Sequence, residues 1–121
     1  MALWVLKFGG TSVGSPERIS AVADKVIALK KQGHDLVVVV SAMSGETNRL
    51  IELAKKIQAE PNPRELDVMI STGEQVTIAL LAMAISERGV EARSYTGAQV
   101  RIVTDSAFTK ARIKEIDQTR I

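Results

Sequence analysis

Cysteine is absent from this 121-residue sequence, and histidine occurs once, at His34. No disulfide framework, thiolate zinc site or cysteine nucleophile is available. A lone histidine excludes a multi-histidine metal centre. His34 also precedes a predicted strand at the end away from the glycine-rich loop described below, which argues against a Ser-His-Asp triad. Aromatic residues make up 3% of the chain, so a core must be built from Val, Ile, Leu, Ala and Met. Charge of one sign is lacking as well: 16 Lys and Arg stand against 14 Asp and Glu, net +2. The two signs are interspersed, unlike the basic stripe or ring-interleaved basic surface of a nucleic-acid binder. No signal peptide is visible, because the N-terminus runs straight into a predicted strand. The longest apolar stretch, Val76 to Ile85, contains Thr77 and is too short for a bilayer. These absences predict a soluble cytoplasmic protein without nucleic-acid or membrane partners.

What is present is a hydrophobic content of 45%, within the length of a single domain. The organising stretch is Lys7-Phe8-Gly9-Gly10-Thr11-Ser12. The apolar run Leu3 to Leu6 leads into it and reads as a strand buried on both faces. Two glycines then remove side chains where backbone must turn or approach a ligand, and Ser15-Pro16 opens a helix just beyond. Strand, glycine turn and helix N-terminus together suit phosphate, with Lys7 adding a positive charge at the mouth. A snorkelling lysine and a plain tight turn explain the same residues without a ligand. Neither a Walker A loop nor a Gly-x-Gly-x-x-Gly dinucleotide fingerprint occurs.

The remaining pattern is α/β. A helix is predicted from about Pro16 to Lys31, with Ser15 as N-cap, a stripe of Ile19, Val22, Ala23, Val26 and Ile27, and Gly33 as terminator. Leu36 to Val40 reads as a second buried strand, so a right-handed βαβ unit and a parallel sheet follow. Its loop, Ser41 to Thr47, leaves the same sheet edge as the glycine turn, where open α/β sheets carry ligands. A helix from about Thr47 to Ala59 presents Leu50, Ile51, Ala54 and Ile57 on one face. Arg64 to Ser71 reads as a short helix, Thr72 to Gln75 as an interruption, and helix resumes to about Glu87. That last helix is apolar nearly all round, as expected of one sandwiched between layers or placed at a subunit interface. Glu91 to Tyr95, Val100 to Val103 and Ile113 to Ile116 read as short strands, and Asp117 to Ile121 as the start of a further element. Glu74, at the start of an apolar helix, is expected to be buried near a positive helix end. It serves either as a capping glutamate or as the carboxylate that holds a substrate ammonium. Thr47 and Ser41 have similar alternatives, a first-turn hydroxyl and a strand terminator.

Four ordered motifs sharpen this reading. Lys7 to Val13, Val38 to Asn48 (Val-Val-Val-Ser-Ala-Met-Ser-Gly-Glu-Thr-Asn), Ser71-Thr72-Gly73-Glu74 and Ser94-Tyr95-Thr96-Gly97 resemble the aspartokinases, most nearly the bacterial lysine- and threonine-regulated kind. The resemblance covers essentially the whole chain. It implies a three-layer α/β/α sandwich with a mainly parallel sheet, of the amino-acid-kinase type. Residues 1–121 would be the N-terminal portion of that catalytic domain, without the family's later Gly-Arg-Gly-Gly-Ser-Asp stretch, nucleotide-base segment or regulatory ACT domains. It implies ATP- and Mg²⁺-dependent phosphorylation of the β-carboxylate of L-aspartate, the opening step towards lysine, threonine, methionine and diaminopimelate, by a homo-oligomer. Carried over by motif, Lys7 is catalytic, and Lys7, Phe8, Gly9, Gly10, Thr11, Ser12 and Ser41 hold the nucleotide. Thr47 meets the aspartate carboxylate and Glu74 its amino group; no residue is assigned to metal. Two departures are a Phe at position 108, where many relatives carry histidine, and the bulky Trp4 in the first strand. Two rival readings are a non-catalytic folded piece that binds anions or self-associates, and a kinase of another carboxylate acceptor. The stretches Ser41 to Asn48 and Ser71 to Glu74 argue against the latter.

Overall fold

In the computed structural model, which describes residues 2–119, the elements follow the order β1 (Leu3–Phe8), α1 (Pro16–Lys31), β2 (Asp35–Val40), α2 (Glu46–Ile57), α3 (Pro63–Glu87), β3 (Ile102–Thr104) and β4 (Ile113–Ile116). α1 has the predicted bounds because its ends are chemically specified. The Ser15 hydroxyl accepts a hydrogen bond from the Arg18 N–H at 3.2 Å, and Pro16 fills the first position, where no N–H is needed. At the other end the Gly33 N–H reaches the Lys30 carbonyl at 3.0 Å with Gly33 at φ +89°, a conformation that costs glycine little. The predicted stripe is the buried one: Ile19, Val22, Ala23, Val26 and Ile27. Ser15→Ala is expected to lower stability by about 1 kcal/mol, the usual worth of an N-cap hydroxyl, as read by urea denaturation of the protein. No change in midpoint would show that water replaces the cap at no cost.

β1 and β2 pair in parallel, from Leu3 opposite Asp35 to Phe8 opposite Val40, completing the βαβ unit. The expectation that both strands are buried on both faces is corrected. Leu6, Phe8, Leu36, Val38 and Val40 belong to the core formed with α1 and α3. Val5 and Val39, on alternate positions, are 64% and 46% exposed. Side chains of a strand alternate between faces, and helices cover only one face of this two-stranded sheet. The continuous apolar runs therefore exceed what the described residues bury.

α3 is the second correction. It runs unbroken through Thr72 to Gln75, so the two predicted helices are one. The polar stretch is accommodated inside the helix: the Thr72 hydroxyl donates to the Met69 carbonyl at 2.6 Å and Thr77 to the Gly73 carbonyl at 3.2 Å. At 25 residues α3 is long and apolar enough, by length and composition alone, to cross a membrane, which corrects the expectation drawn from Val76 to Ile85. One face of it packs in the core, while 22% of its most apolar 18-residue window is buried among the described residues. Gly73, Thr77, Leu81 and Ile85 are buried, it packs on α1, α2 and β2, and Glu74 and Gln75 sit at its middle. It is apolar all round in sequence but one-sided in packing, with Val76 and Met83 exposed. Arg88 closes its C-terminus, donating to the Ala84 carbonyl and to Asp24 of α1, both at 2.7 Å.

The stripe predicted for α2 holds at Leu50, Ile51 and Ala54 but not at Ile57, the helix's last residue, which is exposed. Glu91 to Tyr95 is not a strand. Val90 and Ala92 keep the alternating burial against the core, but the segment has no ladder partner among the described residues. Alternation follows packing, whereas a strand needs a neighbour. β3 and β4 form an antiparallel hairpin; β3 starts later than predicted because Val100 lies in a turn and Arg101 takes φ 58°. The Thr109 N–H docks the hairpin on α3 through Asp67 at 2.7 Å. From Asp117 to Thr119 no further regular element begins, and the rest of that predicted element lies outside the described residues.

Candidate active site

The parallel register brings the two loops together. Phe8 and Val40 end their strands side by side, so the glycine turn and the Ser41–Thr47 loop leave the same edge. They are stitched by backbone: the Ser41 N–H donates to the Phe8 carbonyl at 3.2 Å and the Ser44 N–H to the Gly10 carbonyl at 3.1 Å. Beyond them Gly45, in the left-handed region at φ 81°, precedes α2 as its N-cap residue and offers it no side-chain cap. The positive end of α2 therefore opens beside the loop. Its first residue, Glu46, is held by the Arg49 guanidinium, with Nε donating to Oε2 at 3.0 Å. This hydrogen bond keeps the Glu46 carboxyl below the usual carboxylate range.

Between these loops and α3 lies a cleft of about 310 Å³. Gly10, Ser41, Thr47 and Glu74 all line it, together with Ser44 and Asn48. Four of the residues singled out from sequence, drawn from three separate stretches, thus face one space. Lys7, Phe8, Gly9, Thr11 and Ser12 are not on its wall. Lys7 is exposed, opposite Val39, and shares the uncovered face of the sheet with Val5. The Phe8 side chain packs on the core, leaving only its backbone for a ligand. The Ser12 and Val13 N–H groups are taken by the carbonyls of Gly9 and Gly10, at 3.0 and 3.3 Å, so the phosphate-cradle reading loses two donors. Gly9 retains open space: beyond its own chain neighbours, no atom lies within 4 Å of where its Cβ would stand.

Glu74 differs most from expectation. It is exposed and lies in the middle of α3. Neither burial, the positive helix end nor a capping role applies to it, and its place on the cleft wall is what remains. Ala42 and Gly73, which meet where α3 approaches the loop, lie within the motifs read from sequence but were assigned no role there. A second hollow, of about 600 Å³, lies at the far half of α3 near Ala79, Met83 and Ser94, without a glycine turn or a helix N-terminus. Among the described residues no group of three or more His, Cys, Asp or Glu is placed to hold a metal.

Comparison with known proteins decides the family, since the sequence profile of the amino acid kinase family matches residues 2–121. The chain belongs to the amino acid kinase family. It is 72% identical over its whole length to an aspartate kinase of Stutzerimonas stutzeri and 70% identical to an aspartokinase of Pseudomonas aeruginosa. It spans about 29% of the length of each. Its fold superposes on the crystal structure of aspartate kinase from Synechocystis with a TM-score of 0.78, at 52% identity, over 83% of this chain and 17% of that one. It also superposes on E. coli aspartokinase III in complex with aspartate and ADP, with a TM-score of 0.79, over 94% of this chain and 35% of that one. At 22% identity that likeness speaks for the fold. This amino-acid-kinase segment is therefore an α/β unit whose parallel βαβ core carries the cleft at the carboxyl ends of its strands.

Proposed function

We propose that this segment supplies the acceptor side, and part of the phosphate side, of an aspartate kinase site. The observation that carries the reading is the convergence of Gly10, Ser41, Thr47 and Glu74 on one cleft, in a chain whose high-identity relatives are named aspartate kinases. Thr47, in the first turn of α2, combines a hydroxyl with a helix N-terminus that has no side-chain cap, a setting that favours a carboxylate. Glu74, an exposed acid on the facing helix, suits the aspartate ammonium. Ser41 and Gly10 form the border towards the nucleotide, and the open space at Gly9 admits a phosphate close to backbone.

The reaction asks for no general base. The β-carboxylate of aspartate, with a reference pKa of about 3.9, is already ionised at neutral pH. One of its oxygens attacks the γ-phosphorus of ATP, the bond from that phosphorus to the β,γ-bridging oxygen breaks, and ADP leaves with the electron pair. The protein's task is alignment and charge. Among the described residues no group of three or more His, Cys, Asp or Glu is placed to cage Mg²⁺.

In a full-length aspartokinase carrying this segment, Glu74→Gln is expected to raise the KM for aspartate by about tenfold or more, the scale of losing a hydrogen bond to a charged group. The KM for ATP should stay near its original value. Steady-state kinetics with each substrate varied in turn makes the test. Equal effects on both substrates would assign Glu74 to folding rather than recognition.

A further inference from the structure

We propose that Gly73 is a positioning residue: its missing side chain sets how closely α3 approaches the Ser41–Thr47 loop, and so the spacing between Glu74 and Thr47 across the cleft. This rests on the aspartate-binding reading above and adds the element that sets the pocket's width. Glycine is a poor choice inside a helix, yet Gly73 is buried in the middle of α3. A Cβ there would stand 3.0 Å from the Cβ of Ala42, 3.6 Å from Cγ of Glu46 and 3.8 Å from Cδ1 of Leu50. The first contact is tighter than nine in ten real Cβ contacts, so one of the two walls must give by a few tenths of an ångström. The helix therefore touches the loop at the one position where it has no side chain.

Ala42 has little room to yield. It is 5% exposed, and its carbonyl oxygen abuts the glycine turn, where a Cβ on Gly10 would stand 3.1 Å from it. The Ser41 and Ser44 N–H bonds to Phe8 and Gly10 tie the loop to that turn. Ala42 is thus clamped between two glycines, one from the phosphate side and one from the acceptor side. With Ala42 held, a side chain at position 73 is relieved by α3 moving outwards by a few tenths of an ångström, and Glu74, the next residue, moves with it. Thr47 stays with the loop, so the two groups that would hold aspartate separate.

The test uses a full-length aspartokinase carrying this segment, with Gly73→Ala, Ala42→Gly and the double substitution. Displacements well below 1 Å in a positioned site carry large kinetic effects, so Gly73→Ala should raise the KM for aspartate about tenfold while the KM for ATP changes less than about twofold. Its helical circular dichroism should be equal or greater, since Ala is the better helix former. The double variant removes the clashing methyl and should return the aspartate KM to within about twofold of the original. An unchanged aspartate KM in Gly73→Ala, a parallel rise in both KM values, or a double variant that stays impaired would overturn the proposal. If Gly73→Ala loses helix, the double variant decides alone by the same criterion. Absence of aspartate-dependent turnover in the unsubstituted enzyme would instead remove the aspartate reading itself, and this proposal with it.

Discussion

In a full-length aspartokinase carrying this segment, Lys7→Met is expected to lower kcat by about a hundredfold or more, the effect of losing one preorganised charge in a transition state. The expectation starts from position. Lys7 stands directly before Phe8, whose carbonyl anchors the Ser41 loop, and before Gly9, around which backbone is open to close approach. It does not line the cleft that holds Glu74 and Thr47. It leaves the sheet on the face opposite the core that α1 and α3 form, so any charge it contributes to the proposed site would come from outside the wall that holds Glu74 and Thr47. Lys7 is exposed and is not part of the core, so the substitution should leave the denaturation midpoint nearly unchanged. Turnover at saturating ATP and aspartate is the measurement. An undiminished kcat would return Lys7 to the reading of a strand-end lysine with no catalytic part.

The second large effect concerns residues 1–121 by themselves, which are expected to show no aspartate-dependent ADP release. The cleft is formed by one sheet edge, the first turn of α2 and the middle of α3, and it opens to solvent on its remaining side. The described residues hold no metal-binding cluster, and the chain spans about 29% of its aspartokinase relatives. Phosphoryl transfer requires in-line placement, where a 1 Å error costs about a hundredfold. Charge on one side of the transferring group cannot supply that alignment. The exposed apolar residues of the sheet, Leu3, Trp4, Val5 and Val39, should also promote self-association, because an uncovered strand edge is a template for pairing. A coupled ADP-release assay on the purified 121-residue chain, with Lys7→Met as a control for contaminating kinase, tests the first expectation. Turnover that requires aspartate and disappears in the control would show that this piece suffices for catalysis. Light scattering against concentration tests the second.

Much of the architecture was legible because its signals are local. Ser15, Pro16 and Gly33 specify the ends of α1 through bonds within a few residues, and the five-residue stripe names its buried face before any partner is known. The valine run of β2 and the helix before it imply a parallel pair, and handedness then sends both following loops to one edge. The convergence of Gly10, Ser41 and Thr47 was readable for that reason. The motifs Lys7 to Val13 and Ser41 to Asn48 also carried the family.

Three features were decided only by tertiary contact. Whether Thr72 to Gln75 breaks a helix depends on what lies against it: Gly73 continues α3 because it packs on Ala42 of a loop distant in sequence. Glu74 in turn sits on the wall of a cleft and not at a helix end. Whether an apolar run is buried depends on layers that cover it, and β1 and β2 have helices on one face only. Whether Glu91 to Tyr95 is a strand depends on a neighbouring edge, since alternating burial by itself makes no ladder. Sequence by itself therefore carried the family, through the resemblance of its ordered motifs, and determined the βαβ core and the edge that bears the candidate cleft, because these two follow from capping, periodicity and handedness within short spans. The continuity of α3, the place of Glu74 and the close contact at Gly73 came from the folded chain, because they depend on distances between segments that no local pattern encodes.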